Sequence, residues 1–119
     1  NDNIVCQRYF TVRKFNEYQE FALKTAIYPK SQGLIYTTLG LVGESGEVAE
    51  KVKKLIREDN IQDEDWSKSV ARELGDVLWY VANLATELGI DLDTIAKMNL
   101  IKLEDRLNRD VLNGNGDYR

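Results

Sequence analysis

The chain reads as an all-α domain, a bundle of about four helices. It contains one proline in 119 residues. Apolar residues recur at steps of three and four, with few two-residue alternations, and the breakers gather in short clusters between these periodic stretches. A first helix is expected over about 15–28, with Phe15, Tyr18, Ala22, Thr25 and Ala26 on its inner stripe. Pro29, Ser31, Gln32 and Gly33 then punctuate the chain. A second helix is expected over about 34–57, its stripe being Leu41, Val48, Val52, Leu55 and Ile56, followed by a polar loop over 58–65. The third should begin near Trp66 or Ser67 and end at Leu88, with Gly89 where a C-terminal cap usually sits. Its stripe is Val70, Leu74, Val77, Val81, Ala85 and Leu88. Asp91 or Asp93 caps a fourth helix reaching about Arg109, and Asn113, Gly114, Asn115, Gly116 and Asp117 mark an irregular tail.

Length and composition bound the function. The chain is one domain by length, and small enough that association with further copies would bury much more apolar surface. With 43% apolar and 30% charged residues it is of the soluble globular class. A net charge of −4 argues against the basic surface of a nucleic-acid binder. No apolar run approaches eighteen residues and no leader pattern is present, so neither a membrane span nor secretion is expected. Cys6, the single cysteine, can form no internal disulfide, which suits a reducing cytoplasm.

The chemistry is concentrated in two carboxylate pairs, Glu44 with Glu47 in GESGEVAE and Glu73 with Asp76 in ELGDVLWY. Residues three apart are neighbours on a helix surface. On the helical wheel Glu44 lies just off one edge of the second helix's apolar stripe, with Glu47 further round. Glu73 and Asp76 bear the same relation to the third. Two antiparallel neighbours would therefore bring these acidic edges face to face. Such pairs are also common on solvated helix faces, but Gly43, Gly46 and Gly75 are interleaved with these acids. Glycine costs up to about 1 kcal/mol inside a helix, and a small residue makes sense where another helix or a ligand approaches closely.

Gathered carboxylates raise one another's pKa unless a cation joins them. The chain has no histidine, so the nitrogen ligands of zinc, copper and di-iron sites are missing, and no twelve-residue EF-hand loop is present. Carboxylate oxygens suit a hard ion, with Mg²⁺ the best fit and Mn²⁺ a possible substitute. Because Mg²⁺ favours phosphate oxygens as co-ligands, the expected substrate carries phosphates. Lys54, seven residues beyond Glu47 and so on its face, is a phosphate candidate, although a solvated lysine in KVKK is the plainer reading.

LGLVGESGEVAEKVKK, ARELGDVLWYVANLATELGI and IAKMNLIKLEDR together resemble the MazG-like nucleoside triphosphate pyrophosphohydrolases, over most of the chain from about Tyr18. The resemblance implies an all-α bundle completed as a homodimer or homotetramer, with Glu44, Glu47, Glu73 and Asp76 as Mg²⁺ ligands. Gly43 stands where many members carry a further Glu. The resemblance also assigns Lys97, Asn99, Lys102 and Arg106 to phosphates and sugar; charge-dipole pairing near a helix C-terminus explains such cations equally well. Trp79, Tyr80 and Asn83 are candidates to stack on or hydrogen-bond a base, unless they serve the core or a subunit interface. The implied reaction is in-line attack of water on the α-phosphorus of a nucleoside triphosphate, releasing monophosphate and pyrophosphate, with Glu47 the first choice of base. Two alternatives remain open: an enzyme narrow for one pyrimidine triphosphate such as dUTP or dCTP, and a catalytically silent helical interaction module.

Overall fold

Among the described residues four α-helices carry the fold: α1 (Phe15–Lys24), α2 (Gly33–Lys53), α3 (Glu64–Glu87) and α4 (Leu92–Asn108). Turns of 3₁₀ helix at Lys30–Gln32 and Lys54–Ile56 precede and follow α2. The computed structural model describes residues 14–109, and no strand occurs among them. Cys6 and the tail at 113–117 lie outside the described residues.

The helix boundaries follow from local hydrogen bonding. Helix α1 stops earlier than the apolar pattern suggests because Thr25 closes it. The Thr25 amide and hydroxyl both donate to the carbonyl of Ala22, at 3.2 and 3.0 Å, a competition typical of short polar side chains. Tyr28 therefore leaves the helix. Helix α3 starts earlier than Trp66 because Asp63 is its cap, the carboxylate accepting from the Trp66 amide at 2.8 Å. Asp91 caps α4 in the same way, accepting from the Thr94 amide at 2.8 Å. At the end of α3, Gly89 adopts φ +70°, and the amides of Gly89 and Ile90 return to the carbonyls of Thr86 and Ala85, each at 3.0 Å. This Schellman closure needs a left-handed residue, which is why glycine stands there.

Helices α2 and α3 run antiparallel. Trp66 at the start of α3 donates its indole N–H to the carbonyl of Lys51 near the end of α2, at 3.2 Å. At the other end Gly33 meets Glu87, and between them Gly40 meets the ring of Tyr80. A Cβ on either glycine would fall 2.1 Å from those side chains, so these two positions allow the helices their approach. By contrast, a Cβ at Gly43, Gly46 or Gly75 would meet nothing within 4 Å. The close approach expected at those three is not made by any described element of this chain.

Helix α1 is held to the far end of α3 and the start of α4 by buried polar groups. Gln19 accepts from the Leu92 amide at 2.7 Å and donates to the Ile90 carbonyl and Thr86 hydroxyl. Around it Ala22, Ala82 and Leu92 form a small core, with Tyr18, Trp79, Val81 and Ile95 packed against it. Much of the predicted striping is nevertheless exposed. Leu74 and Leu88 of the α3 stripe are more than half exposed, as are Leu39 and Val42 on α2 and Leu100 and Leu107 on α4. No described helix is long and apolar enough to cross a membrane.

Candidate metal centre

The antiparallel register delivers Glu44 from α2 to Glu73 and Asp76 from α3, and one carboxylate oxygen from each lies within 4.8 Å of the other two. The helical pitch explains the pairing: Glu73 and Asp76 are one turn apart on α3 and flank the level of Glu44. Burial, then the charges of Asp76, Glu73 and Glu47, push the Glu44 carboxyl up from its ordinary value. Oxygens sharing one Mg²⁺ at about 2.1 Å lie at most about 4.2 Å apart, so a small inward rotation of these side chains suffices. The donor set is hard oxygen throughout, which fits Mg²⁺ or Mn²⁺ and not a thiolate- or imidazole-seeking ion.

Glu47, one turn beyond Glu44, is exposed and is not among the three converging oxygens. It lies close enough for its charge to act on Glu44. A cation instead borders the trio: Lys51 Nζ is 3.3 Å from Glu73 Oε1, both side chains being partly buried, and donates to the Ser69 hydroxyl. Neither Lys51 nor Ser69 was among the residues singled out from sequence. Lys51 stands seven residues after Glu44, two helical turns on, and that spacing was the available signal; the same rule applied to Glu47 gives Lys54.

On the other side of the carboxylates is a cavity of about 250 Å³ lined by Glu44, Asp76, Trp79 and Tyr80. Trp79 and Tyr80 are its aromatic lining, and further rings lie behind them. Tyr28 stacks on Tyr36 at 4.9 Å, Tyr36 lies 6.4 Å from Tyr80, and Trp79 meets Tyr80 edge to face at 4.8 Å. The Trp79 indole N–H donates to the Thr25 hydroxyl at 2.7 Å, which fixes that ring. Burial, the neighbouring Tyr36 hydroxyl and the Glu44 and Asp76 charges push the Tyr80 phenol up. Burial and then Asp76 do the same to Tyr18.

The remaining sequence-derived candidates are not brought to this centre by one chain. Asn83 is fully buried, and its amide donates to the carbonyls of Ala22 and Trp79, each at 3.2 Å, so it ties α1 to α3. Lys54 is exposed in the 3₁₀ turn after α2. Asn99 and Lys102 line a separate cavity of about 340 Å³ with Leu88, Ile90, Ile95 and Met98. Lys97 is exposed on the same helix, whereas Arg106 is only 4% exposed. The α4 residues thus share a helix with one another and not a pocket with the carboxylates.

Residues 32–110 match the family model described as the MazG nucleotide pyrophosphohydrolase domain. The chain is also 47% identical over 109 residues to the "Gene 37 protein" of Mycobacterium phage L5, a match covering 86% of this chain and 96% of that protein. No solved structure matches the chain significantly.

Proposed function

Because the chain belongs to the MazG nucleotide pyrophosphohydrolase family, we propose that it hydrolyses nucleoside or deoxynucleoside triphosphates to the monophosphate and pyrophosphate, with Mg²⁺, acting on the cytoplasmic nucleotide pool. The observation that carries this reading is the convergence of Glu44, Glu73 and Asp76 within 4.8 Å beside an aromatic-walled cavity. A hard divalent ion bound there would lower the pKa of water and offset the charge that builds on the phosphates.

The chain's own residues take the other roles. Glu44, Glu73 and Asp76 hold the ion, and Glu47, one turn out, is the proposed fourth carboxylate and the base that takes the proton from attacking water. Tyr80, with Trp79 beside it, offers a face on which a base can stack. Lys97, Asn99 and Lys102 lie on a helix whose apolar residues Met98, Leu100, Ile101 and Leu107 are more than half exposed, and so much exposed apolar side chain on one helix favours association. These polar groups are accordingly assigned to the nucleotide of a neighbouring copy in a homodimer or homotetramer.

The test is incubation with a panel of NTPs and dNTPs, with and without Mg²⁺, resolving the products by chromatography. Monophosphate and pyrophosphate formed only with metal are expected. Diphosphate and phosphate, or nucleotide-independent inertness across the panel, would overturn the proposal.

A further inference from the structure

The seam between α2 and α3 has a direction. Because the helices are antiparallel, residues later in α2 meet residues earlier in α3. Gly40 meets Tyr80, Glu44 meets Asp76, and Lys51 meets Glu73 and Ser69. Followed along its length, the seam passes from aromatic rings to carboxylates to a cation. A nucleoside triphosphate has a matching order of an aromatic base, the phosphate that is attacked, and an anionic tail.

We propose that Lys51, braced by Ser69, binds the terminal phosphates, so that the nucleotide lies along the seam with its base at Tyr80 and its pyrophosphate end at Lys51. This rests on the hydrolase reading above. An ammonium group has three N–H donors; Glu73 and Ser69 take two, and the side chain is 30% exposed, so the third is accessible to an incoming phosphate. With a divalent ion held by Glu73, that carboxylate would be a weaker partner for Lys51 beside the site. A phosphate oxygen would then accept a charge-assisted hydrogen bond from the ammonium group in place of the Glu73 contact. Lys102 of α4 lines a different cavity and does not fill this place within one chain. Ser69 is the second element, because its hydroxyl fixes the amine at the α3 side of the seam.

Calorimetry with the full chain and Mg²⁺ separates the two ends of the substrate. Lys51→Met keeps the aliphatic stem and removes the charge. It is expected to weaken pyrophosphate binding about tenfold or more, about 1.4 kcal/mol, while monophosphate and Mg²⁺ binding change less than about twofold. Lys51→Arg should recover part of the loss. Ser69→Ala should move pyrophosphate affinity in the same direction by less, which keeps the test open if Lys51→Met loses helicity. Equal losses for both ligands, a loss of Mg²⁺ binding alone, or no change would overturn the assignment by reducing Lys51 to a counter-ion of Glu73. If the wild-type protein hydrolyses triphosphates yet binds pyrophosphate no better than the variant, only the orientation fails. A wild-type protein that neither hydrolyses them nor binds either ligand overturns the hydrolase reading as well.

Discussion

The α2–α3 seam and helix α4 are built from similar residues, Lys, Glu, Asp, Leu and Ile at helical spacing, and the fold uses them in opposite ways. Along the seam the polar groups meet within the chain: Lys51 pairs with Glu73, and Glu44 lies beside Asp76. The first turn of helix α4 is tied down through Asp91 at the cap, Gln19 on the Leu92 amide and Asn16 on the Asp93 amide. Beyond that turn Met98, Leu100, Ile101 and Leu107 face outward. The seam's polar groups face one another within one subunit, whereas the outer surface of α4 is left apolar and exposed; on the proposed reading the chemistry belongs to the first and association to the second.

The largest effect should come from breaking the seam at its centre. Glu73→Gln removes a proposed ligand and the partner of Lys51 while keeping shape. Turnover is expected to fall at least about a hundredfold, since even residues that only support a ligand cost roughly 10- to 100-fold. Far-ultraviolet circular dichroism should stay unchanged. Near-normal turnover would remove Glu73 from the site.

Helix α4 supplies the contrasting test. Ile101→Glu at a position 57% exposed in one subunit should alter the subunit's own stability by no more than about 0.5 kcal/mol. Buried between copies, the same unpaired charge costs several kcal/mol, so association should weaken at least about a hundredfold. Sedimentation would then report smaller species that remain helical. A variant that sediments like the wild type would show that this face carries no contact.

What the sequence disclosed divides along the same line. The four helices were legible because apolar periodicity and caps such as Gly89 act locally, and the two acidic pairs because spacing alone puts them on helix edges. The register between α2 and α3 was not. It depends on Gly33 and Gly40, which read as a breaker and an ordinary helix position until Glu87 and Tyr80 are seen against them. The glycines that drew notice, Gly43, Gly46 and Gly75, flank the acids but border open space. Asn83 shows the same limit: spacing puts it near Tyr80, but only packing shows its side-chain N–H group donating to the α1 carbonyl of Ala22. Lys51 is marked in sequence only by its seven-residue spacing from Glu44, and choosing between that rule and the same one applied to Glu47 takes the register across the two helices.

Two glycine substitutions sharpen that lesson with opposite signs. At Gly40 an added methyl group meets the Tyr80 ring, and such overpacking typically costs about 1–3 kcal/mol. Gly40→Ala should therefore lower the melting temperature and perturb the near-ultraviolet signal of the Tyr28, Tyr36 and Tyr80 cluster. At Gly46 the space is open, and alanine gains up to about 1 kcal/mol of helix propensity. Gly46→Ala should raise the melting temperature. If Gly40→Ala were the stabilising change, the observed α2–α3 approach would be wrong.

The smallest effect lies at the start of α2, where the cap position Gln32 supplies no side-chain bond and the Glu87 carboxylate lies against Gly33. Tyr28 holds that carboxylate, its hydroxyl donating to Glu87 Oε1 at 3.1 Å. Burial, then the bond and charge of Glu87, push the phenol from 10.0 up to about 12. An acid whose pKa is raised in the folded state binds more protons folded than unfolded, so stability falls as pH rises between the two values. The contribution is thus fully present below pH 10 and lost on approaching pH 12. Tyr28→Phe keeps the ring on Tyr36 and deletes the hydroxyl. Because the bond is exposed, the expected cost at neutral pH is only roughly 0.5–1 kcal/mol. Thermal melts across that window should show the wild type losing its advantage over the variant, and a difference that persists unchanged to pH 12 would assign the effect to packing instead of the Tyr28 proton.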